Sequence, residues 1–210
     1  MKKNPLAGCT FAILGDSYST FQGYIPQGNA CYYPRPEAVE DVLRVEDTWW
    51  HQFMLRNDLR LLCNESYSGA TVCTHVRDGQ PPESSFTVRV KNVIAENPDY
   101  IFVFGCTNDS WLERRRGQVQ FENWTENDLT MTLPAYCYVL DAITKACPQA
   151  VLVCVINTGL HPEIADGMRQ AGEHYGATVV ELSEICKQNG HPNALGMQQI
   201  AMQIEAALRK

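Results

Sequence analysis

Five short apolar runs recur along the chain at intervals of about 25 to 50 residues, with amphipathic stretches between most of them. The runs are Thr10–Leu14, Leu59–Cys63, Tyr100–Phe104, Val151–Ile156 and Ala177–Leu182. Each is nearly continuous in Val, Ile, Leu and Phe rather than alternating, the pattern of strands covered on both faces. Helical spacing predicts helices over Thr48–Asn57 behind an Asp47 cap, Ser85–Glu96, Asp128–Ala146, Pro162–Tyr175 and Ala194–Arg209. Strands that alternate with helices, joined by right-handed crossovers, give an α/β protein: a three-layer α/β/α sandwich around a five-stranded parallel sheet. In such sheets the ligand crevice lies at the carboxyl ends of the strands.

The chain shows no repeat, low-complexity tract or Gly/Ser linker, so residues 1–210 are read as one domain. Its 45% hydrophobic and 20% charged residues suit a packed core and exclude disordered or collagen-like classes. A net charge of −7 makes nucleic acid a poor partner. The Met1-Lys2-Lys3 start is followed by an apolar stretch too short for a secretion signal or a membrane span, so neither is expected. Nine cysteines, an odd set with no Cys-x-x-Cys pair, fit free thiols in a reducing cytoplasm. Five histidines with no His-x-x-x-His spacing, standing beside no paired cysteines, give no reason to expect a structural zinc.

Polar clusters follow several strands and converge on one sheet edge. Gly15-Asp16-Ser17 follows the first run, Asn64–Gly69 the second, Thr107-Asn108-Asp109 the third, and His191-Pro192-Asn193 opens the last helix. A serine at a strand-to-loop turn can project its hydroxyl free of the sheet, but it needs a base. His191 could reach it; His161, also followed by proline, has the same local form. Each feature alone also reads as a turn or cap. A phosphate-cradling, flavodoxin-like binding module built on Ser17, Ser19 and Thr20 is the competing class, and a degenerate, non-catalytic hydrolase a third.

Taken together and in order, Gly15-Asp16-Ser17, Gly69 within Ser66–Ala70, Asn108 in Thr107-Asn108-Asp109, and His191-Pro192-Asn193 with Gly196 resemble the four blocks of the GDSL, or SGNH, hydrolase family. The blocks span nearly the whole chain. The resemblance implies the flavodoxin-like SGNH fold and an esterase mechanism. Ser17 would be the nucleophile and His191 the base, with an oxyanion hole made by the Ser17 and Gly69 N–H groups and the Asn108 amide. No cofactor is implied. The substrate would be a small-molecule or carbohydrate ester, such as an O-acetyl sugar. Asp16 would support the nucleophile's turn.

Two positions depart from the family pattern. Cys106 stands where a glycine usually precedes the asparagine, and Gln188 replaces the aspartate usual three residues before the histidine. The histidine is then expected to work in a dyad, with the Gln188 amide oxygen or backbone carbonyl accepting Nδ1–H, or else with Glu184 as a displaced acid. Two long connections complete the picture. Residues 18–46 carry Phe21, Tyr24, Tyr32 and Tyr33, fit either to line a pocket or to pack as a cover over the sheet edge. Residues 110–125 place Arg114-Arg115-Arg116, either an anion-binding patch or a solvated turn, beyond Asn108.

Overall fold

A computed structural model describes residues 4–38 and 41–209. Met1-Lys2-Lys3, on which the reading of the leader rests in part, lies outside them. The five strands form where expected: β1 (Thr10–Gly15), β2 (Arg60–Ser66), β3 (Tyr100–Phe104), β4 (Val151–Ile156) and β5 (Thr178–Glu181). They make one parallel sheet in the order β2-β1-β3-β4-β5. Helices α1 (Trp49–Asn57), α2 (Phe86–Ala95), α3 (Thr107–Trp111), α4 (Thr132–Ala146), α5 (Pro162–His174) and α6 (Ala194–Leu208) complete the three layers.

Successive side chains of a strand point to opposite faces, and each central strand feeds two cores. Ala12, Leu14, Ile101 and Val103 pack under α2, α4 and α5. Phe11, Ile13, Phe102 and Phe104 pack under α1 and α6. Trp49 and Trp50 are core residues at the start of α1, as their place in the pattern suggests; the Trp49 ring meets Phe102 and Phe104 edge-on at 5.8 and 6.0 Å. Truncating an aromatic side chain of this kind typically costs about 3–5 kcal/mol.

Boundaries differ from the sequence reading for local reasons. Thr48, not Asp47, caps α1, its Oγ1 accepting the His51 N–H, while Asp47 closes the preceding 3-10 turn. The helix expected from Asp128 starts at Thr132, because the Asp128 carboxylate accepts the Thr125 N–H at 2.8 Å and closes a separate 3-10 turn over Asp128–Thr130. Pro134 then sits in the first turn of α4, where a missing N–H costs nothing. Strand β2 runs past its apolar stretch through Asn64, Glu65 and Ser66, which pair in register with Ile13, Leu14 and Gly15. Main-chain pairing, not side-chain polarity, extends it.

Candidate active site

The carboxyl ends of β1 and β3, the loop after β2 and the segment before α6 surround one cavity of about 290 Å³, into which Ser17, Gly69, Asn108 and His191 all face. The structure thus brings together the four residues singled out from separate stretches of sequence. Ser17 begins a 3-10 turn (Ser17–Ser19) directly after β1, capped by Asp16, whose Oδ1 accepts the Tyr18 N–H at 3.0 Å. Asp16 is fully buried and its Oδ2 has no hydrogen-bond partner among the described residues. Burial pushes its carboxyl up to about 7, against the opposing pull of the Tyr18 amide.

His191 is held by a feature the sequence reading missed. Lys187–Gln188 (β6) and His191–Pro192 (β7) form a two-residue antiparallel hairpin. Asn189 and Gly190 at its tip have φ of 50° and 79°. Positive φ at both central residues is the signature of a type I′ turn, and Asn-Gly is its preferred pair, so the signal was present in the sequence. Tyr18 Oη donates to the Gly190 carbonyl and Tyr33 Oη to the Pro192 carbonyl, each at 2.6 Å, tying the hairpin to the connection that carries Ser17.

His191 Nε2 lies 2.8 Å from Ser17 Oγ, and Nδ1 lies 3.2 Å from the Asn189 carbonyl oxygen. A carbonyl only accepts, so Nδ1 carries the proton of the neutral ring and Nε2 is left to accept from the serine hydroxyl. The ring is stacked on Tyr32 with centroids 3.6 Å apart, and Trp111 meets it edge-on at 5.7 Å. Burial, reinforced by the positive charges of Arg35 and Lys187, holds the imidazole down at about 4.

The acceptor for Nδ1 is therefore the Asn189 carbonyl, and not the Gln188 amide oxygen, the Gln188 carbonyl or the Glu184 carboxylate. Gln188 is the residue paired with His191 in the antiparallel hairpin. Glu184 is an exposed residue of the loop before β6, with φ of 53°.

Gly69 has φ of +82°, and a Cβ there would collide with the Gln80 side-chain amide, itself bonded to the Ser68 carbonyl at 2.7 Å. Asn108 is buried in the first turn of α3, its Nδ2 donating to the Ala70 carbonyl at 2.9 Å. Asp109 accepts the Val72 N–H at 2.9 Å and joins α3 to the loop that carries Gly69. Among the described residues, the backbone N–H groups of Ser17 and Gly69 have no protein acceptor. Cys106, at the family's glycine position, adopts φ of 67°. A left-handed conformation is what favours glycine there; this buried cysteine takes it at a typical cost of about 1–2 kcal/mol.

The two long connections resolve differently from one another. In residues 18–46, Phe21 and Tyr33 are buried in the core, and Tyr32 presents its ring to His191. The connection is a cover with one face on the site. Arg114-Arg115-Arg116 does not reach the cavity: Arg114 Nη2 donates to the Val76 carbonyl at 2.8 Å and Arg116 pairs with Glu163 at 3.6 Å. Phe121 and Trp124 pack against His174 and Tyr138. The cations lining the cavity are Arg35 and Arg77. His161 caps α5 through Nδ1, which accepts the Glu163 N–H at 3.3 Å. The Ser19 and Thr20 hydroxyls are buried and engaged by the Trp49 indole N–H and the Tyr32 N–H, so they cannot cradle a phosphate. No group of three or more His, Cys, Asp or Glu among the described residues is placed to hold a metal, and none of their helices is long and apolar enough to cross a membrane.

Comparison with known proteins agrees with this architecture. Residues 9–208 match the GDSL-like lipase/acylhydrolase family. The structure of a protein described as a GDSL-like lipase from Bacteroides uniformis superposes with a TM-score of 0.90 at 39% identity, over 96% of this chain and 95% of that one. A counterpart from Bacteroides ovatus gives 0.90 and 39% over 96% and 98%. A family two carbohydrate esterase from Clostridium thermocellum shares the fold at 14% identity, with a TM-score of 0.63 over 97% of this chain and 64% of that one. No curated protein matches.

Proposed function

The chain belongs to the GDSL-like lipase/acylhydrolase family and is an ester hydrolase, and we propose that it works through a Ser17–His191 dyad in place of a full triad. The observation that carries this reading is the 2.8 Å contact between Ser17 Oγ and the unprotonated Nε2 of His191. Ser17 Oγ attacks the ester carbonyl carbon as its proton passes to Nε2, and the carbonyl π pair moves onto oxygen. The N–H groups of Ser17 and Gly69, which have no acceptor among the described residues, receive that oxyanion with the Asn108 amide, each such donor being worth roughly 10²–10³ in rate. Collapse expels the alcohol, which takes the proton back from Nε2. Water, activated by the same nitrogen, then releases the acid from Ser17.

In a triad the carboxylate sets the tautomer and stabilises the imidazolium. Here the Asn189 carbonyl does the first and partly substitutes for the second through its dipole. A small cavity lined by Tyr32 and Trp111 suits a short acyl group, such as acetyl, on a carbohydrate or similar alcohol. Residues 1–210 act as one hydrolase domain, and the nine free cysteines suit a reducing, cytoplasmic setting.

Covalent labelling by a fluorophosphonate tests the nucleophile. Label on Ser17, lost in Ser17→Ala together with turnover of an aryl acetate, is the expected result. Persistent label on another serine, or turnover without Ser17, would overturn it.

A further inference from the structure

The protein carries a net charge of −7, yet among the described residues its catalytic cavity is lined by Arg35 and Arg77 and by no aspartate or glutamate. We propose that the cavity selects esters whose alcohol portion bears an anionic group, a carboxylate above all, bound at the rim by Arg77 with Arg35. This rests on the esterase reading of the site and names the substrate class.

Depth within the cavity assigns the anion to the alcohol side. Ser17 and Asn108 are 2% and 5% exposed, so the ester carbonyl and a short acyl group sit at the floor. Trp111 is 48% exposed, the Arg35 side chain 43%, and Arg77 is exposed, so they face whatever extends from the floor toward solvent. Among the described residues Arg77 has no ion-pair or side-chain hydrogen-bond partner, leaving its donors for a ligand. Its guanidinium matches a carboxylate bidentately. Arg35 is placed rather than loose. Its guanidinium lies 4.9 Å over the Tyr32 ring, which also stacks on His191, and Glu37 approaches it at 3.6 Å without reaching the cavity lining. Arg35 is already felt electrostatically at His191, so the same field favours an anion in the cavity.

The test compares 4-acetoxybenzoate with 4-acetoxybenzamide, each rate normalised to that ester's reaction with free imidazole to remove leaving-group differences. The expected result is a normalised kcat/KM about tenfold higher for the benzoate at low salt, shrinking as ionic strength rises. Arg77→Gln should collapse that preference toward one, chiefly through KM of the benzoate, and Arg77→Lys should retain part of it. A preference of one or below, insensitive to salt, or equal losses on both esters in Arg77→Gln, overturns the proposal. If neither ester is turned over, the esterase reading fails separately. Equilibrium binding of 4-hydroxybenzoate and 4-hydroxybenzamide then decides: tighter benzoate binding that Arg77→Gln abolishes sustains the anion site, and equal binding sinks it.

Discussion

The proton on His191 Nδ1 is directed at the main-chain carbonyl of Asn189, 3.2 Å away and two residues back in the same hairpin. An acceptor supplied by the backbone cannot be deleted by changing a side chain. Gln188→Ala and Glu184→Gln should each leave kcat within about threefold of the parent, whereas His191→Ala should lose most of it; removing the catalytic histidine costs about 10⁶ in kcat in serine hydrolases of this kind. A fall of about 10³ on removing the Glu184 charge, with the circular dichroism unchanged, would install Glu184 as a third catalytic member.

The hairpin's geometry is itself testable. Gly190 has φ of 79°, and a Cβ there would press on the Trp111 ring at 3.3 Å. Gly190→Ala should lower kcat by about tenfold or more as His191 shifts, and reduce stability by about 1 kcal/mol. Steady-state kinetics and thermal melting measure the two. Unchanged kcat would mean that the turn does not position the imidazole.

A histidine held at about 4 stays unprotonated over most of the acid range. Protonation at Nε2 removes the base, so kcat/KM should hold level down to about pH 5 and fall to half near pH 4. The pH profile of the free enzyme reads this directly. An acid limb near 6.5, the ordinary value for histidine, would show that burial and the neighbouring cations do not govern the ring.

Asn108 touches both the cavity and the Ala70 carbonyl. If its amide receives the oxyanion, Asn108→Ala should lower kcat by about 10²–10³ with little change in KM, because the bond strengthens in the transition state. A rise in KM alone would assign Asn108 to substrate binding only.

Asp16 predicts a pH-dependent stability. Its carboxyl is raised to about 7 in the folded chain against an ordinary value of 3.8. Below about pH 4 both folded and unfolded states are protonated and the contribution of this group is whole. Between about 4 and 7 the unfolded chain releases its proton while the folded one retains it, so stability drains away as pH rises. Asp16→Asn, neutral throughout and able to keep the bond to the Tyr18 N–H, should gain in melting temperature relative to the parent as pH climbs from 4 to 7. A gap that stays constant or narrows over that range would refute the raised value.

The layered fold could be read from the chain because each buried strand writes its own signature: Tyr100–Phe104 and Val151–Ile156 are apolar throughout, and only burial on both faces accounts for that. The order and spacing of Ser17, Gly69, Asn108 and His191 were legible for a related reason, since parallel topology brings strand ends to one edge whatever the loops do. What the sequence left open was every contact made by main chain or across long separations. The Asn189 carbonyl has no letter of its own; it became an acceptor because a type I′ turn folds residue 189 back toward residue 191. Tyr32 stacks on a ring 159 positions away, and Arg77 reached the cavity while the more conspicuous Arg114-Arg115-Arg116 turned to Val76 and Glu163. Local pattern encodes which face of an element is buried, but which loop side chains meet above the sheet depends on how separate connections pack together, and only the tertiary structure decided that.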